Sequence, residues 1–229
     1  MIVQNVLESI FGSPAKIRIL RVLSVSPQPL SGRQVGELSR LSHRGAIQAL
    51  ESLVALGAVR QRKVGAAYQY SLSRGNRAVE TIIAPSLKAE ASMLDDLKKN
   101  IIVRFSKAAV SLTLFGSLAR GTGKRGSDID LLAVAQDERR KKDLEGKAAA
   151  GSPFFRERYN AVLSLHCYTL VELRSKKNQL LLKSILQEGT ELSGKPLREL
   201  MAWRRNGRQG LLPRASIGTS LPRRKISLP

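Results

Sequence analysis

Residues 112–134 have the sequence LTLFGSLARGTGKRGSDIDLLAV and decide both the expected fold and the expected chemistry. An apolar strand ends at Gly116 and Ser117, and a second apolar strand opens with Asp128 and Asp130. Because side chains alternate along a strand, the two carboxylates are expected on one face, roughly 7 Å apart. Such a pair suits Mg²⁺, which completes its shell with waters and phosphate oxygens. A helix that begins at Gly116 and Ser117 would offer its first N–H groups to an anion.

The charge of the chain is strongly positive, with 39 Lys and Arg residues against 18 Asp and Glu residues. Residues 1–74 carry ten basic and three acidic side chains, and residues 195–229 carry nine and one. Basic ends favour binding to a polyanion, with an affinity that falls as salt rises. For the tail, a role in solubility is an equally good interpretation.

The single cysteine and the distribution of apolar residues indicate the expected compartment. Cys167 has no partner for an intrachain disulfide, which fits a reducing environment. The N-terminal residues lack the basic region of a secretion signal, and no apolar run approaches about 18 residues. We therefore expect a soluble cytoplasmic protein with no membrane contact.

The first 74 residues predict three short helices and a β-hairpin. Ser13, Ser31 and Ser42 each stand where a helix N-cap is expected, before segments with apolar residues at helical spacing. Residues 59–64 and 68–72 then alternate as two strands around a glycine-containing turn.

Taken together, the segments SPAKIRILRVL, LSGRQVGELSRLSHRGAIQALESLVALGAV and RQRKVGAAYQYSL resemble a winged helix-turn-helix of prokaryotic regulators, over residues 10–73. The resemblance implies that the third helix reads the major groove of DNA and that the wing meets phosphates. The residues it assigns to DNA are Ser42, His43, Arg44 and Gln48 on the helix and Arg60, Arg62 and Lys63 on the wing. A helical domain used for dimerisation or protein contacts is the alternative.

Residues 75–108 predict a helical connector. Its apolar stripe consists of Leu87, Ala91, Leu94, Leu97, Ile101 and Phe105. Pro85 interrupts the pattern, so the helix either begins near that residue or kinks there. The stripe fits a connector between two domains and also a seam between two copies of the chain, and both alternatives stay open.

The Gly-Ser and Asp-x-Asp elements, with Ala119-Arg-Gly121 between them, resemble the small prokaryotic nucleotidyltransferases of the DNA polymerase β superfamily. The resemblance covers residues 109–194 and implies an α+β domain with a mixed sheet and flanking helices. It implies that Gly116 and Ser117 hold the phosphates of a nucleoside triphosphate, with Arg120 as a further phosphate contact. Asp128 and Asp130 would ligate Mg²⁺ for transfer of the nucleotidyl group to an unknown acceptor.

One element of the family pattern is missing from the sequence. The family takes a third carboxylate from a later strand, but the candidate strand at residues 160–168 contains no Asp or Glu. Ser164 or His166 falls at that position. Two hypotheses therefore stay open: a DNA-binding nucleotidyltransferase, and a regulator or antitoxin-like protein that binds nucleotide or a helical protein partner without turnover.

The remaining segments complete the predicted organisation. Residues 139–153, rich in Lys, Arg, Ala and Gly, are expected to form a loop between strands. The predicted architecture is a winged helix domain at 1–74, a connector at 75–108, a nucleotidyltransferase-like domain at 109–194 and a basic tail at 195–229. The tail is expected to extend one helix and to be disordered beyond Asn206.

Overall fold

The computed structural model describes residues 5–123, 126–175 and 179–202, without the side chains of Val6, Glu8 and Arg174. The chain divides into two compact units, Met1–Lys99 and Asn100–Pro229, and one long helix contributes residues to both. In the described ranges, no helix is long and apolar enough to span a membrane.

Serine caps start three helices of the first unit where the sequence predicts them. Ser13 Oγ accepts from the Lys16 N–H, and Ser42 Oγ accepts from the Gly45 N–H at 3.2 Å. Ser31 forms a reciprocal capping box with its third helical residue. The four helices are α1 (Val6–Phe11), α2 (Pro14–Val25), α3 (Gly32–Ser39) and α4 (His43–Ala55). Their apolar faces bury Ile19, Leu20, Leu23, Val35, Leu50 and Leu53 in one core.

Three antiparallel strands complete this part of the unit, in the spatial order β1-β3-β2. The strands are β1 (Leu30–Ser31), β2 (Val59–Val64) and β3 (Ala67–Leu72). The predicted hairpin of β2 and β3 is confirmed, and Gly65 at its turn has a φ of 60°, which suits glycine. Only Val59 of β2 is buried, so the strand presents the rest of its side chains to solvent.

The connector is helical from its first turns onward. A π-helical turn at Val79–Ile83 leads into α5 (Ala84–Phe105), with Pro85 as the second residue of α5. A proline has no N–H to donate, and the change from π- to α-helical bonding occurs at this point. The apolar stripe is continuous only in part, because Ala91 and Leu94 are exposed. The buried members are Leu87, Leu97, Ile101 and Phe105.

The second unit is built on a four-stranded mixed sheet with the order β6-β5-β4-β7. Its strands are β4 (Ser111–Phe115), β5 (Ile129–Ala135), β6 (Leu163–Thr169) and β7 (Thr190–Gly194). β5 and β6 are parallel, and the other two pairs are antiparallel, so the predicted α+β class with a mixed sheet is confirmed. The helices that flank the strands are α6 (Gly116–Ala119), α7 (Glu138–Tyr159), α8 (Gln179–Glu188) and α9 (Leu197–Ala202).

The predicted loop at residues 139–153 was wrong, because these residues lie within α7. Asp137 Oδ1 caps the helix by accepting from the Arg140 N–H at 2.8 Å. Lys, Arg and Ala are good helix formers and are also common in exposed loops, so composition alone did not distinguish a helix from a loop. Leu144 and Phe155, about three turns apart, are both fully buried and fix one face of α7.

Helices α8 and α9 pack on one face of the sheet. Leu132 and Val134 of β5 share a core with Leu182 and Ile185 of α8. The first residues of the basic tail segment join this core through Leu197 and Leu200 of α9. The expected disorder beyond Asn206 lies outside the described residues.

Candidate functional site

The two sequence elements that carry the predicted chemistry meet where β4 and β5 pair. The antiparallel register sets Phe115 opposite Asp130, so Gly116 begins α6 directly beside that carboxylate. Gly116 has a φ of 72°, in the left-handed region that favours glycine. A Cβ at Gly116 would lie 2.9 Å from Cγ of Asp130 and would overlap one of its oxygens. A side chain at this position would therefore displace the carboxylate, and the positive φ also favours glycine.

Asp128 stands directly before β5, and Asp130 is the second residue of that strand. Ile129 between them is fully buried and pairs with Leu163 of β6, and the negative charge of Asp128 acts on Asp130. Asp128 is exposed and Asp130 is half-buried. Burial raises the pKa of Asp130 above its ordinary value, and the negative charge of Asp128 raises it further.

This electrostatic arrangement fits a divalent cation. Interactions with His166 and Arg120 lower the pKa of Asp130, but the pKa stays above its ordinary value. The neighbouring groups therefore do not fully offset the burial of the carboxylate and the negative charge of Asp128. A cation between Asp128 and Asp130 would relieve their repulsion. Within the described ranges, no group of three or more His, Cys, Asp or Glu side chains forms a metal cage. Two carboxylates, completed by waters and phosphates, match the coordination that Mg²⁺ commonly adopts.

Ser117 lies on the same short helix as Gly116, and Arg120 is the residue that caps its C-terminus. The Ser117 carbonyl accepts from the Thr122 N–H at 2.9 Å, which closes the turn after α6. Arg120 Nη1 donates to Glu188 Oε2, at the end of α8, at 2.6 Å. Sequence reasoning missed Glu188, because a contact across 68 residues leaves no local pattern. Lys124 and Arg125, the two basic residues that follow Gly123 in the sequence, lie outside the described residues.

Comparison with known proteins assigns this part of the chain. Residues 95–196 match the family described as a nucleotidyltransferase domain. These residues form a nucleotidyltransferase domain. The match includes Gly116, Ser117, Asp128 and Asp130, and it leaves the first 94 residues unassigned. No curated protein matches the chain by sequence.

Solved structures show weaker likenesses. A toxin-antitoxin crystallised with AMP-PNP is 18% identical, with a TM-score of 0.32 over 48% of this chain and 82% of that chain. A mutant of the toxin-antitoxin MntA-HpeT is 16% identical, with a TM-score of 0.32 and the same coverage of both chains. A MarR-family transcriptional regulator from Silicibacter pomeroyi is 23% identical, with a TM-score of 0.31 over 43% of this chain and 78% of that chain. The nucleotidyltransferase assignment rests on the family match and not on these structures.

β6, the strand on which the family resemblance expects a third carboxylate, carries no acidic side chain. Ser164 of β6 pairs in register with Asp130. His166 lies two residues further along the same face, with its ring 5.3 Å from that of Phe115. Glu172, the nearest acidic residue after β6, bonds to Lys141 Nζ at 2.7 and 2.8 Å. The Glu172 carboxylate is therefore engaged by Lys141 of α7.

The residues predicted to bind DNA lie in the first unit, on α4 and β2. His43, Arg44 and Gln48 are exposed on α4, and Ser42 is exposed at its cap. The Ser42 hydroxyl is engaged by the Gly45 N–H, so this side chain also has a structural task. On β2, the exposed side chains include Arg60, Arg62 and Lys63.

Proposed function

We propose that the nucleotidyltransferase domain transfers a nucleotidyl group from a nucleoside triphosphate to an acceptor, with Mg²⁺ held by Asp128 and Asp130. The observation that supports this most is the packing of the Asp130 carboxylate against Gly116. It brings the acidic strand and the first turn of α6 together, as a metal–triphosphate complex requires. The raised pKa of Asp130 also supports a bound cation, because a positive charge between Asp128 and Asp130 would relieve their repulsion.

The chain's own residues would bind the triphosphate and hold the metal ion. The first N–H groups of a helix lack intrahelical partners, so those at Gly116 and Ser117 would bind triphosphate oxygens. Arg120 would add a positive charge on the same side, since it already acts on Asp130. Bound Mg²⁺ would neutralise the phosphate charge that develops during transfer. Asp128 and Asp130 would hold it in place.

Turnover is the property to test first. Purified protein is incubated with each of four labelled nucleoside triphosphates, Mg²⁺ and candidate acceptors, and pyrophosphate release is measured. We expect release by the wild type and its loss in Asp128→Ala and Asp130→Ala. Asp143→Ala is the matched control, because Asp143 is an α7 carboxylate that forms an ion pair with Lys147. Release that survives in both aspartate variants would exclude this site as its source.

A second candidate function is supported by the presence of Ser164, and not of a carboxylate, opposite Asp130 in the pairing of β5 with β6. In this alternative the protein is a regulator or antitoxin-like protein, and its domain binds nucleotide or a helical protein partner without turnover. The same assay separates the two: saturable Mg²⁺-dependent nucleotide binding with no pyrophosphate release, under conditions where a control enzyme works, favours the second.

For the first unit we propose a winged helix that binds DNA through α4 and the wing. The capped start of α4 and the exposed basic side chains of β2 support this proposal. Arg44→Ala should weaken binding by about 1–3 kcal/mol and change the sequence preference, if Arg44 contacts base edges. Lys63→Ala should weaken binding to all sequences alike and lower the salt dependence. Lys99→Ala, an exposed lysine on α5, is the control. No binding to any DNA at low salt would remove this proposal.

A further inference from the structure

The first unit contains a cavity of about 550 Å³ that belongs to none of the sites described above. Residues from the second half of α2, from the end of β3 and the turn after it, and from the first turns of α5 line it. Its apolar lining includes Leu72 and Leu87, both 7% exposed, together with Ala84 and Ala91. Small-molecule sites in proteins typically have volumes of about 300–1,000 Å³ and a mostly apolar lining. The cavity has the size and surface of a ligand site.

The charged side chains around the cavity leave an excess of positive charge. Arg21 and Glu90 neutralise each other through two hydrogen bonds, with Nε 2.7 Å from Oε2. Arg74 donates to the Ser24 carbonyl at 3.1 Å, and a carbonyl oxygen does not neutralise its charge. Neither Arg74 nor the exposed Lys88 forms a salt bridge within the described ranges, although both line the cavity.

We propose that this cavity binds a small organic anion that has an apolar body. The apolar lining would hold the body of the ligand, and Arg74 and Lys88 would attract its anionic group. The chain's own residues 203–229 do not fit, because they carry seven basic and no acidic side chains and would be repelled. The proposal concerns residues 21–91 only, so a failure of the nucleotidyl transfer assay would not affect it.

The test uses 2-naphthoate as the probe, with the full-length protein at about 0.15 M salt to limit non-specific attraction. Amide resonances are followed by two-dimensional NMR. We expect saturable binding with a Kd below about 1 mM, and shifts concentrated at the lining residues, such as Arg74 and Ala91. The neutral methyl ester should bind at least about threefold more weakly, and the naphthylmethylammonium cation should not bind measurably. This comparison needs no variant.

Two variants locate the site, and one serves as a control. Ala91→Trp places an indole in the cavity and should abolish saturable binding, while Lys88→Glu should weaken it by about threefold or more. Lys99→Glu makes the same charge change on α5 outside the lining, and should leave binding unchanged. Each variant is first checked for the wild-type circular dichroism spectrum and unfolding temperature.

Several results would overturn the proposal. They are the absence of saturable binding to the wild type, shifts spread over the basic surface, and equal binding of the ester. A fourth is a solution dimer that Ala91→Trp converts to a monomer, because the second copy would then be the occupant of this surface. Light scattering measures that outcome on the same samples.

Discussion

The carboxylate of Asp130 packs on the backbone of Gly116, with its Cγ 2.9 Å from the place where a Cβ would stand. The pairing of Phe115 with Asp130 creates this contact by setting the start of α6 beside the acidic strand. Glycine at this position is thus explained twice, by its φ of 72° and by the space that the carboxylate occupies. The site depends on both residues at once.

Replacing this glycine should therefore damage both stability and nucleotide binding. Gly116→Ala combines a left-handed backbone with an overlap onto Asp130, and should cost about 2–5 kcal/mol of unfolding free energy. It should also abolish Mg²⁺-dependent nucleotide binding. Urea unfolding and calorimetry measure the two effects.

Gly121→Ala separates the backbone effect from the overlap. Gly121 also has a positive φ, 68°, but a Cβ there would meet nothing within 4 Å. This variant should cost only about 1–2 kcal/mol and keep nucleotide binding. Equal losses in the two variants would show that contact with Asp130 is unimportant.

The ion pair between Arg120 and Glu188 predicts a change in nucleotide affinity. The two side chains are 46% and 41% exposed, so the pair contributes at most about 1 kcal/mol. If Arg120 contacts phosphate, Glu188 competes for it, and Glu188→Gln should tighten nucleoside triphosphate binding by up to about fivefold. Glu157→Gln, an exposed residue of α7, is the control. Weaker binding in Glu188→Gln would instead show that Glu188 holds Arg120 in its binding position.

The cap at Ser42 allows its structural and DNA-binding roles to be separated. Ser42→Ala removes the acceptor for the Gly45 N–H and should cost about 1 kcal/mol of stability. Ser42→Asp keeps a capping oxygen and should retain wild-type stability, yet its charge should weaken DNA binding if this residue faces phosphates. Thermal unfolding and a DNA titration at fixed salt give the two readouts. Unchanged DNA binding by a stable Ser42→Asp would place Ser42 outside the interface.

The thiol of Cys167 should react slowly at neutral pH. Burial raises its pKa from 9.0 to about 11, so the reactive thiolate is scarce below that value. The rate of alkylation by iodoacetamide should continue to rise tenfold per pH unit through pH 9–10. The urea-unfolded protein should level off about two units earlier. A plateau near pH 9 in the folded protein would contradict the assigned burial.

Local patterns predicted much of this molecule. The helix caps at Ser13, Ser31 and Ser42 are properties of a few neighbouring residues, and all three were found where expected. The place of Asp130 at the start of a buried strand was predictable for the same reason, since the apolar run that follows it marks β5.

Long-range contacts could not be predicted in the same way. The pairing of Arg120 with Glu188 depends on where α8 ends in space, and the sequence does not contain that distance. The helix α7 is a different failure, because Asp137 was a visible N-cap and Leu144 and Phe155 were visible on one face. There the basic composition was given too much weight.

We propose above that Gly116, Asp128 and Asp130 together form one metal–triphosphate site. Calorimetric titration with a non-hydrolysable nucleoside triphosphate analogue, with Mg²⁺ or with EDTA, tests it whether or not the protein turns over. We expect saturable binding that requires Mg²⁺ and is lost in Asp130→Asn, while Asp143→Asn binds as the wild type does. Binding of equal strength in EDTA, or in Asp130→Asn, would contradict it.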